Sequence, residues 1–333
     1  MKTRIPISLT GTGTYLPAEV LSNSYFADKL ETTDEWIVTR TGIRQRHRAS
    51  PEESTSTMAS KAATTAIENA GLQPQDIDAV ICATATGDHP FPATAAYMHA
   101  ELGMQSTPAF DISAACAGFL YGCCVASGFI GAGMYRRVLV AGAETLSRYA
   151  DPTDRTTVVI FGDGAGAAVL EAADGESEND PAVLYFEMGC DGTRANHIVV
   201  PAGGARMPTT ETTVAERLQF LRMKGREVYK FAVIKMQELI DEALRATGLS
   251  ADDLAMVIPH QSNLRIIESV REKLGLSRDK IAVNIDRCGN TSAASIPMAL
   301  DEARRSGRLK KGDLVLMVGI GAGITWSTML IRL

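Results

Sequence analysis

The sequence has no long apolar run and no excess of basic residues. Among its 333 residues, no stretch approaches the roughly 20 apolar residues that a membrane-spanning helix needs, and the N-terminus lacks a signal-peptide core. We therefore expect a cytoplasmic protein without a membrane partner. The net charge of −6 argues against nucleic acid as a partner, because phosphate backbones attract basic surfaces.

Cysteine is also scarce and shows no metal-binding spacing. The six cysteines include no C-x-x-C pair and no paired cysteine–histidine spacing, so no metal site is expected. A disulfide framework is not expected at this chain length. Several cysteines lie in apolar stretches, where a reduced, buried thiol is the simplest interpretation. What remains is an ordinary globular composition, with 45% hydrophobic and 22% charged residues.

The chain repeats itself at a spacing of 177 residues. Residues 66–81 (AIENAGLQPQDIDAVI) match residues 243–258 (ALRATGLSADDLAMVI) in layout, and residues 138–142 match residues 315–319. Each longer block contains a helical stretch, a Gly-Leu stop, an acidic turn and an apolar strand. Because helices alternate with short apolar strands, we predict a layered α/β fold. The predicted halves are residues 1–180 and 181–333.

Periodicity and punctuating glycines predict the main elements. Helices are predicted at 57–70, 117–132, 228–247, 264–274 and 293–306. The glycines expected to end four of them as left-handed C-caps are Gly71, Gly248, Gly275 and Gly307. We also predict a strand at 281–285, a loop at 201–213 and a polar connection between the halves at 174–180.

Cys116 is the first candidate for chemistry. It lies among small residues (DISAACAGF, 111–119), where an apolar stretch is followed by a predicted helix. Unpaired backbone N–H groups and the positive end of a helix dipole favour a thiolate there, and a thiolate is the nucleophilic form. The alternative is an inert buried cysteine, which is the commoner case.

His260 and Asn290 are the second and third candidates. His260 follows an apolar strand, at the end where α/β proteins place their ligands, and Asn290 precedes a helix that it could simply cap. A structural role is the alternative for each. The repeat favours a shared site, because Cys116 corresponds to Ala293 and His260 corresponds to Ala83. If the halves pack with pseudo-twofold symmetry, the three side chains converge. The glycine-rich run at 319–323 could present a backbone N–H to a developing oxyanion.

Eight segments along nearly the whole chain resemble the β-ketoacyl-[acyl-carrier-protein] synthase III family of thiolase-fold condensing enzymes. They are 33–37 (TDEWI), 40–44 (RTGIR), 114–118 (AACAG), 151–155 (DPTDR), 160–167 (IFGDGAGA), 260–265 (HQSNLR), 289–295 (GNTSAAS) and 321–326 (GAGITW). The resemblance implies a thiolase-like fold with mixed sheets in an αβαβα arrangement. It also implies a homodimer that needs no cofactor and uses a coenzyme A thioester as substrate.

The resemblance implies an acyltransferase that condenses an acyl-CoA primer with malonyl-[acyl-carrier protein] and so initiates type II fatty-acid synthesis. Cys116 would carry the acyl group. His260 and Asn290 would stabilise the enolate left by decarboxylation, and the backbone N–H groups of Cys116 and Ala322 would hold the oxyanion.

The resemblance assigns further residues to binding. Those expected to contact coenzyme A are Trp36, Arg40, Arg155 and Asn263. Those expected at the acyl pocket are Phe91 (reaching into the partner's pocket), Thr156 and Ile320. Those expected to bind the acidic carrier protein are Arg265, Arg271 and Lys273, although Glu268 and Glu272 dilute the charge of that helix and a merely solvated face is the alternative.

Departures from the family pattern leave the substrate open. Thr156 stands where glycine is common, Ile320 where an aromatic is usual and Ser262 where alanine is usual. Two further interpretations therefore remain beside fatty-acid initiation. One is a synthase on the same scaffold that primes a polyketide or other secondary pathway. The other, from a different class, is a catalytically silent protein that binds acyl-CoA or carrier protein.

Overall fold

The computed structural model describes residues 4–333, and residues 1–3, which form part of the N-terminus considered for a signal peptide, lie outside the described residues. The strands are β1 (Ile7–Tyr15), β2 (Glu19–Ser22), β3 (Gln45–Arg48), β4 (Ala79–Ala83), β5 (Ala109–Ile112), β6 (Arg137–Glu144), β7 (Gly164–Ala172), β8 (Ala182–Cys190), β9 (Ile198–Val199), β10 (Arg222–Met223), β11 (Met256–Pro259), β12 (Leu314–Gly321) and β13 (Thr325–Arg332). The helices are α1 (Asn23–Ala27), α2 (Asp34–Thr41), α3 (Thr55–Asn69), α4 (Thr94–Glu101), α5 (Gly118–Gly131), α6 (Glu211–Ala215), α7 (Gly225–Thr247), α8 (Leu264–Lys273), α9 (Ile285–Cys288) and α10 (Ser295–Arg305).

Two mixed sheets form the framework. The first has the order β1-β7-β6-β4-β5 and the second the order β11-β12-β13-β8. In the first sheet β4 pairs in parallel with β5 and β6, and in the second β11 pairs in parallel with β12. The remaining pairings within these two sheets are antiparallel. The interior strands β4 and β12 are apolar along their whole length because helices cover both faces of each sheet.

Helices and sheets alternate in five layers. α5 and α10 lie between the sheets, in one core cluster that includes Ile81 and Val140 of the first sheet and Ile258 and Met317 of the second. α3 covers the outer face of the first sheet, and α7 and α8 cover the outer face of the second. The predicted αβαβα arrangement is confirmed.

The repeat is visible in the backbone register. Ala79 of β4 pairs with Val138 of β6, and Met256 of β11 pairs with Val315 of β12, which is the same pairing 177 residues later. The five predicted helices are confirmed to within three residues at each end. All four predicted C-cap glycines have a left-handed φ, between 64° and 74°. The predicted boundary near residue 180 lies in the loop between β7 and β8, and the division into two domains stays a prediction.

The strand predicted at 281–285 is wrong. Only Ile281 forms a bridge, to Val257, and Ile285 already begins α9. The buried side chain of Gln261 replaces a neighbouring strand: its amide donates to Ala282 O, and its Oε1 accepts from the backbone N–H groups of Asn284 and Ile285. The backbone polar groups are therefore satisfied without a ladder.

Candidate active site

A cavity of about 580 Å³ opens where the two sheets meet, and Cys116, His260 and Asn290 all line it. Its wall is mostly apolar, and its volume is in the usual range for small-molecule sites, about 300–1,000 Å³. The repeat relates the segments that carry Cys116 and Asn290 to each other, and it relates His260 to Ala83 at a strand end of the first half. The cavity thus brings together the three residues that the sequence singled out for chemistry.

Cys116 sits in a 3₁₀ turn, Ala115–Ala117, that leads directly into α5. The backbone of Gly321 packs so closely here that a Cβ on it would lie 2.8 Å from the Cys116 nitrogen. The expectation that the thiolate is favoured is wrong, since burial raises the pKa of Cys116 to about 12. The hydroxyl of Ser292 is a hydrogen-bond partner that lowers this pKa, but burial outweighs it.

His260 lies at the end of β11, where its backbone N–H donates to Val318 O at 2.8 Å. Its Nδ1 lies 2.6 Å from the hydroxyl oxygen of Ser295, which also accepts the backbone N–H of Gln261. The Ser295 hydroxyl can donate to Nδ1 or accept from it, and the donating arrangement is the one that leaves the imidazole hydrogen on Nε2, facing away from Ser295. Burial lowers the pKa of His260 to about 3. The ring is therefore a neutral hydrogen-bond donor at neutral pH.

Asn290 is held by its backbone and by one side-chain oxygen. Its N–H donates to Ile160 O, and its carbonyl accepts from Gly162, a contact that crosses from one half of the chain to the other. The Oδ1 of Asn290 accepts the backbone N–H of Ser292 at 2.9 Å. Because that bond orients the amide, the NH₂ group is left free to donate in the cavity.

The cavity mouth carries an aromatic ring between two guanidinium groups. Arg40 Cζ lies 4.4 Å and Arg155 Cζ 5.3 Å from the centre of the Trp36 ring. Trp36, Arg40 and Asn263 line the cavity, whereas Arg155 lies outside its lining and donates to Glu31 O. Asn263 also caps α8 by accepting the N–H of Arg265, so its structural role is visible beside the predicted binding role.

Models of known families match both halves of the site. The model of 3-oxoacyl-[acyl-carrier-protein] synthase III matches residues 110–192, and the model of the C-terminal region of that protein matches residues 244–333. A β-ketoacyl-[acyl-carrier-protein] synthase III from Caldanaerobacter subterraneus subsp. tengcongensis is 48% identical over 329 residues, which cover 99% of this chain and 98% of the relative. The chain belongs to the β-ketoacyl-[acyl-carrier-protein] synthase III family.

Further relatives agree in sequence and in shape. The synthase III of Brucella melitensis is 49% identical over 97% of this chain and 98% of its own length. The crystal structure of the Aquifex aeolicus synthase III has a TM-score of 0.89 at 42% identity, covering 98% of this chain and 100% of that one. The priming β-ketosynthase of the R1128 polyketide pathway has a TM-score of 0.90 at 34% identity, covering 100% and 98%. Like the rest of its family, the chain is a condensing enzyme of the acyltransferase class.

Two of the three acyl-pocket residues predicted from the synthase III resemblance line the cavity, namely Thr156 and Ile320. Phe91 does not: its side chain is 85% exposed on the single chain. Sequence reasoning missed the wall supplied by the paired two-residue strands β9 and β10 and their flanks, whose contributors include Ile198, Val199, Leu221 and Met223. Two-residue strands leave too little pattern for detection. The predicted loop at 201–213 is irregular up to Thr210, and α6 begins at Glu211.

The predicted carrier-binding residues lie on α8, and two of the three are paired with acids. Arg271 donates to Glu268 at 2.6 Å, and Lys273 donates to Asp241 at 2.6 Å. Arg265 lies over the Tyr229 ring, 5.4 Å from its centre, and forms no ion pair within the described part of the chain. The basic surface is therefore weaker than the sequence suggested, and its role stays a prediction.

Sequence reasoning also missed Glu144, Ser292 and Ser295, which contact the three predicted catalytic residues or each other. The signal for Glu144 was a carboxylate directly after the apolar run at residues 138–143. Between residues 4 and 333 no cluster of three or more His, Cys, Asp or Glu side chains is arranged to hold a metal ion. Over the same residues no helix combines the length and the apolarity needed to cross a membrane.

Proposed function

We propose that the protein catalyses the decarboxylative condensation of an acyl-CoA primer with malonyl-[acyl-carrier protein], which gives 3-ketoacyl-[acyl-carrier protein] and initiates type II fatty-acid synthesis. One observation carries the assignment of roles. A thiol, a neutral imidazole and an amide line a single, largely apolar cavity, and the imidazole and the amide are each oriented by a hydrogen bond. Membership in the synthase III family supplies the reaction class.

In the first step Cys116 attacks the carbonyl carbon of the acyl-CoA thioester. The thiol loses its proton, a carbon–sulfur bond forms, and coenzyme A leaves as a thiolate that takes up one proton. The acyl group is then held covalently on Cys116. Because the cavity wall is largely apolar, water that would hydrolyse this thioester is kept out.

In the second step the malonyl thioester loses CO₂. The electron pair of the breaking carbon–carbon bond moves into the thioester, and negative charge develops on its carbonyl oxygen. His260 donates through Nε2 and Asn290 donates through its NH₂ group to that oxygen. No strong base is required, which agrees with a histidine whose pKa is lowered to about 3 by burial.

In the third step the enolate carbon attacks the acyl carbonyl on Cys116. A carbon–carbon bond forms, and the tetrahedral oxyanion is held by the backbone N–H groups of Cys116 and Ala322. Collapse of that intermediate breaks the bond to sulfur and releases the 3-ketoacyl product, and Cys116 leaves as a thiolate that takes up one proton from solvent to restore the thiol. None of these steps uses a cofactor.

The binding assignments are part of the same proposal. Trp36, Arg40, Arg155 and Asn263 hold coenzyme A, and Arg265, Arg271 and Lys273 hold the carrier protein. Phe91 completes the partner's acyl pocket in a homodimer, supported by its 85% exposure and by the unpaired edge of β5. A cytoplasmic location fits six free cysteines, which persist in a reducing compartment.

The test is intact-mass measurement after incubation with acetyl-CoA and with a panel of branched and longer acyl-CoAs. Wild type should gain one acyl group, and Cys116→Ala should gain none and lose condensation by more than about a thousandfold. A wild type that acquires no adduct from any primer would support the silent-binding alternative.

The same panel tests the polyketide-priming alternative. The structural similarity to the priming ketosynthase of the R1128 pathway is the observation that favours this alternative. A fatty-acid initiator should load acetyl or short branched groups and then elongate them with malonyl-carrier protein. Loading confined to other acyl groups would favour the priming of a secondary pathway.

A further inference from the structure

Glu144 is a buried carboxylate that the three steps above leave unused. It ends β6, its side chain is fully buried, and no lysine or arginine within residues 4–333 forms an ion pair with it. Its oxygens accept from Thr86 Oγ1 at 2.5 Å, from Ser292 Oγ at 3.0 Å and from the backbone N–H of Ala85 at 3.2 Å. A carboxylate with only neutral donors is costly to bury, and burial raises the pKa of Glu144 to about 7.

Ser292 stands between Glu144 and the nucleophile. It lines the cavity together with Cys116, its hydroxyl acts on the Cys116 sulfur in the direction that lowers the pKa of that thiol, and it donates its own hydroxyl proton to Glu144 at 3.0 Å. Its backbone has a φ of 48°, which a residue with a side chain seldom adopts. A hydroxyl has a single proton, so while Ser292 donates to Glu144 its oxygen lone pairs are free to accept from Cys116.

We propose that Ser292 and Glu144 form a relay that accepts the proton of Cys116 while the acyl group is loaded. The S–H bond breaks and an O–H bond forms on Ser292, as the hydroxyl proton of Ser292 moves to Glu144. The proton then returns along the same path to the departing coenzyme A thiolate, so charge and atoms balance. This inference rests on the acyl-Cys116 intermediate of the proposed function.

His260 is poorly suited to this task. The role proposed for His260 in decarboxylation requires a hydrogen on Nε2 and a bond from Ser295 at Nδ1, and in that tautomer neither nitrogen is free to receive the thiol proton. A second proton would make it a buried cation, which its lowered pKa of about 3 opposes. The relay thus separates the two half-reactions: Glu144 and Ser292 serve loading, and His260 and Asn290 serve decarboxylation.

The titratable groups that face Glu144 do not ionise near neutral pH, so a change in loading rate near pH 7 reports the ionisation of Glu144 itself. They are Cys116 before α5, Cys82 on β4 and Tyr149 after β6, and the pKa of each is raised, mainly by burial and to a smaller extent by the Glu144 charge. All three therefore stay protonated near neutral pH. Glu144 accepts a proton only when ionised, so the rate of loading should rise with pH through its pKa, near 7.

The alternative is that Glu144 only anchors the turn, because it also takes the backbone N–H of Ala293. The experiment measures acetyl loading and malonyl decarboxylation separately, each as a function of pH, in Glu144→Gln, Ser292→Ala and the double variant. Both single variants should load about a hundredfold more slowly and lose the inflection near pH 7. Decarboxylation should stay within about twofold of wild type, and the double variant should load no more slowly than the singles.

The control is Asp163→Asn, which also removes a buried carboxylate, one that bonds Ala49 and Ser147 away from the cavity lining. It should lower the melting temperature yet keep the inflection in loading. The relay is overturned if loading and decarboxylation fall together in the Glu144 and Ser292 variants, if loading is unchanged, or if Asp163→Asn removes the same inflection. Ser292→Ala leaves the bonds of Glu144 to Thr86 and Ala85 in place, so it tests the relay even if Glu144→Gln fails to fold. A wild type that never loads would instead refute the proposed function.

Discussion

The 3₁₀ turn before α5 and the 3₁₀ turn before α10 share a backbone but differ in chemistry. Ala115 and Ser292, which correspond in the repeat, have φ values of 45° and 48°. Each turn is closed by the same bond, from Ala117 to Ala114 O in one and from Ala294 to Thr291 O in the other, at 3.1 and 3.0 Å. A left-handed residue at the same point in both turns shows that the strained geometry belongs to the fold. The catalytic difference therefore lies in the side chains.

Small residues in the first half stand where polar partners stand in the second. His260 contacts Ser295, and the corresponding residues are Ala83 and Gly118, where a Cβ added to Gly118 would lie 3.2 Å from Ala83. The first half thus uses this position for close packing beneath the thiol. The second half uses it to orient an imidazole.

The backbone N–H groups of the two turns differ in whether a side chain accepts from them. Glu144 takes the N–H of Ala293, whereas the residue that corresponds to Glu144 is Gly321, which has no side chain to occupy the N–H of Cys116. The first half thereby leaves a backbone donor open beside its nucleophile, as an oxyanion site requires. The comparison teaches that small residues leave a backbone donor accessible beside Cys116, whereas polar side chains orient His260.

Removal of the His260 side chain should produce the largest difference between the two half-reactions, acyl loading and malonyl decarboxylation. In His260→Ala, malonyl decarboxylation should fall on the order of a hundredfold to a thousandfold, because one of two donors to the enolate oxygen is lost. Acetyl loading on Cys116 should persist. Decarboxylation can be followed by CO₂ release and loading by intact mass, with Cys116→Ala as the opposite control. Unchanged decarboxylation would show that His260 has another role.

Substitution of Ser295 should produce a smaller effect of the same kind. Ser295→Ala removes the hydrogen bond at Nδ1 of His260 and leaves that buried nitrogen without its partner. The loss of a bond to a buried polar group costs about 1–3 kcal/mol. We expect decarboxylation to slow roughly tenfold to a hundredfold while loading stays near the wild-type rate. Equal slowing of both half-reactions would contradict a role confined to His260.

The repeat made much of the site predictable. A constant spacing of 177 residues relates Cys116 to Ala293 and His260 to Ala83, and it led to the expectation that strand ends from both halves meet. Helix ends were predictable for a local reason, because Gly71 and Gly248 alone among their neighbours adopt a left-handed backbone without strain.

Contacts between distant side chains were not predictable. Ser292 and Glu144 are 148 residues apart, and no periodicity connects them. The same holds for Gln261, whose side chain satisfies the backbone that was expected to form a strand. The pKa of Cys116 was misjudged because a helix terminus is visible in the sequence, whereas the depth of burial is not.

The smallest effect expected is on stability, at a pair of corresponding glycines. A Cβ on Gly142 of β6 would lie 2.2 Å from Ala293 O, and one on Gly319 of β12 would lie 3.2 Å from Cys116 O. The first contact forces the backbone to move and the second only crowds it, so Gly142→Ala should cost about 3 kcal/mol and Gly319→Ala about 1 kcal/mol.

Melting temperatures measured at one protein concentration should rank Gly142→Ala below Gly319→Ala, and both below wild type. Of the two variants, Gly319→Ala should be the less active once each is assayed well below its own melting temperature. A methyl group on Gly319 would press on the turn that carries Cys116, whereas one on Gly142 would press on the turn that carries Ala293, the residue that corresponds to Cys116. Equal melting temperatures would mean that the two turns yield equally, and the asymmetry between the halves would then be confined to their side chains.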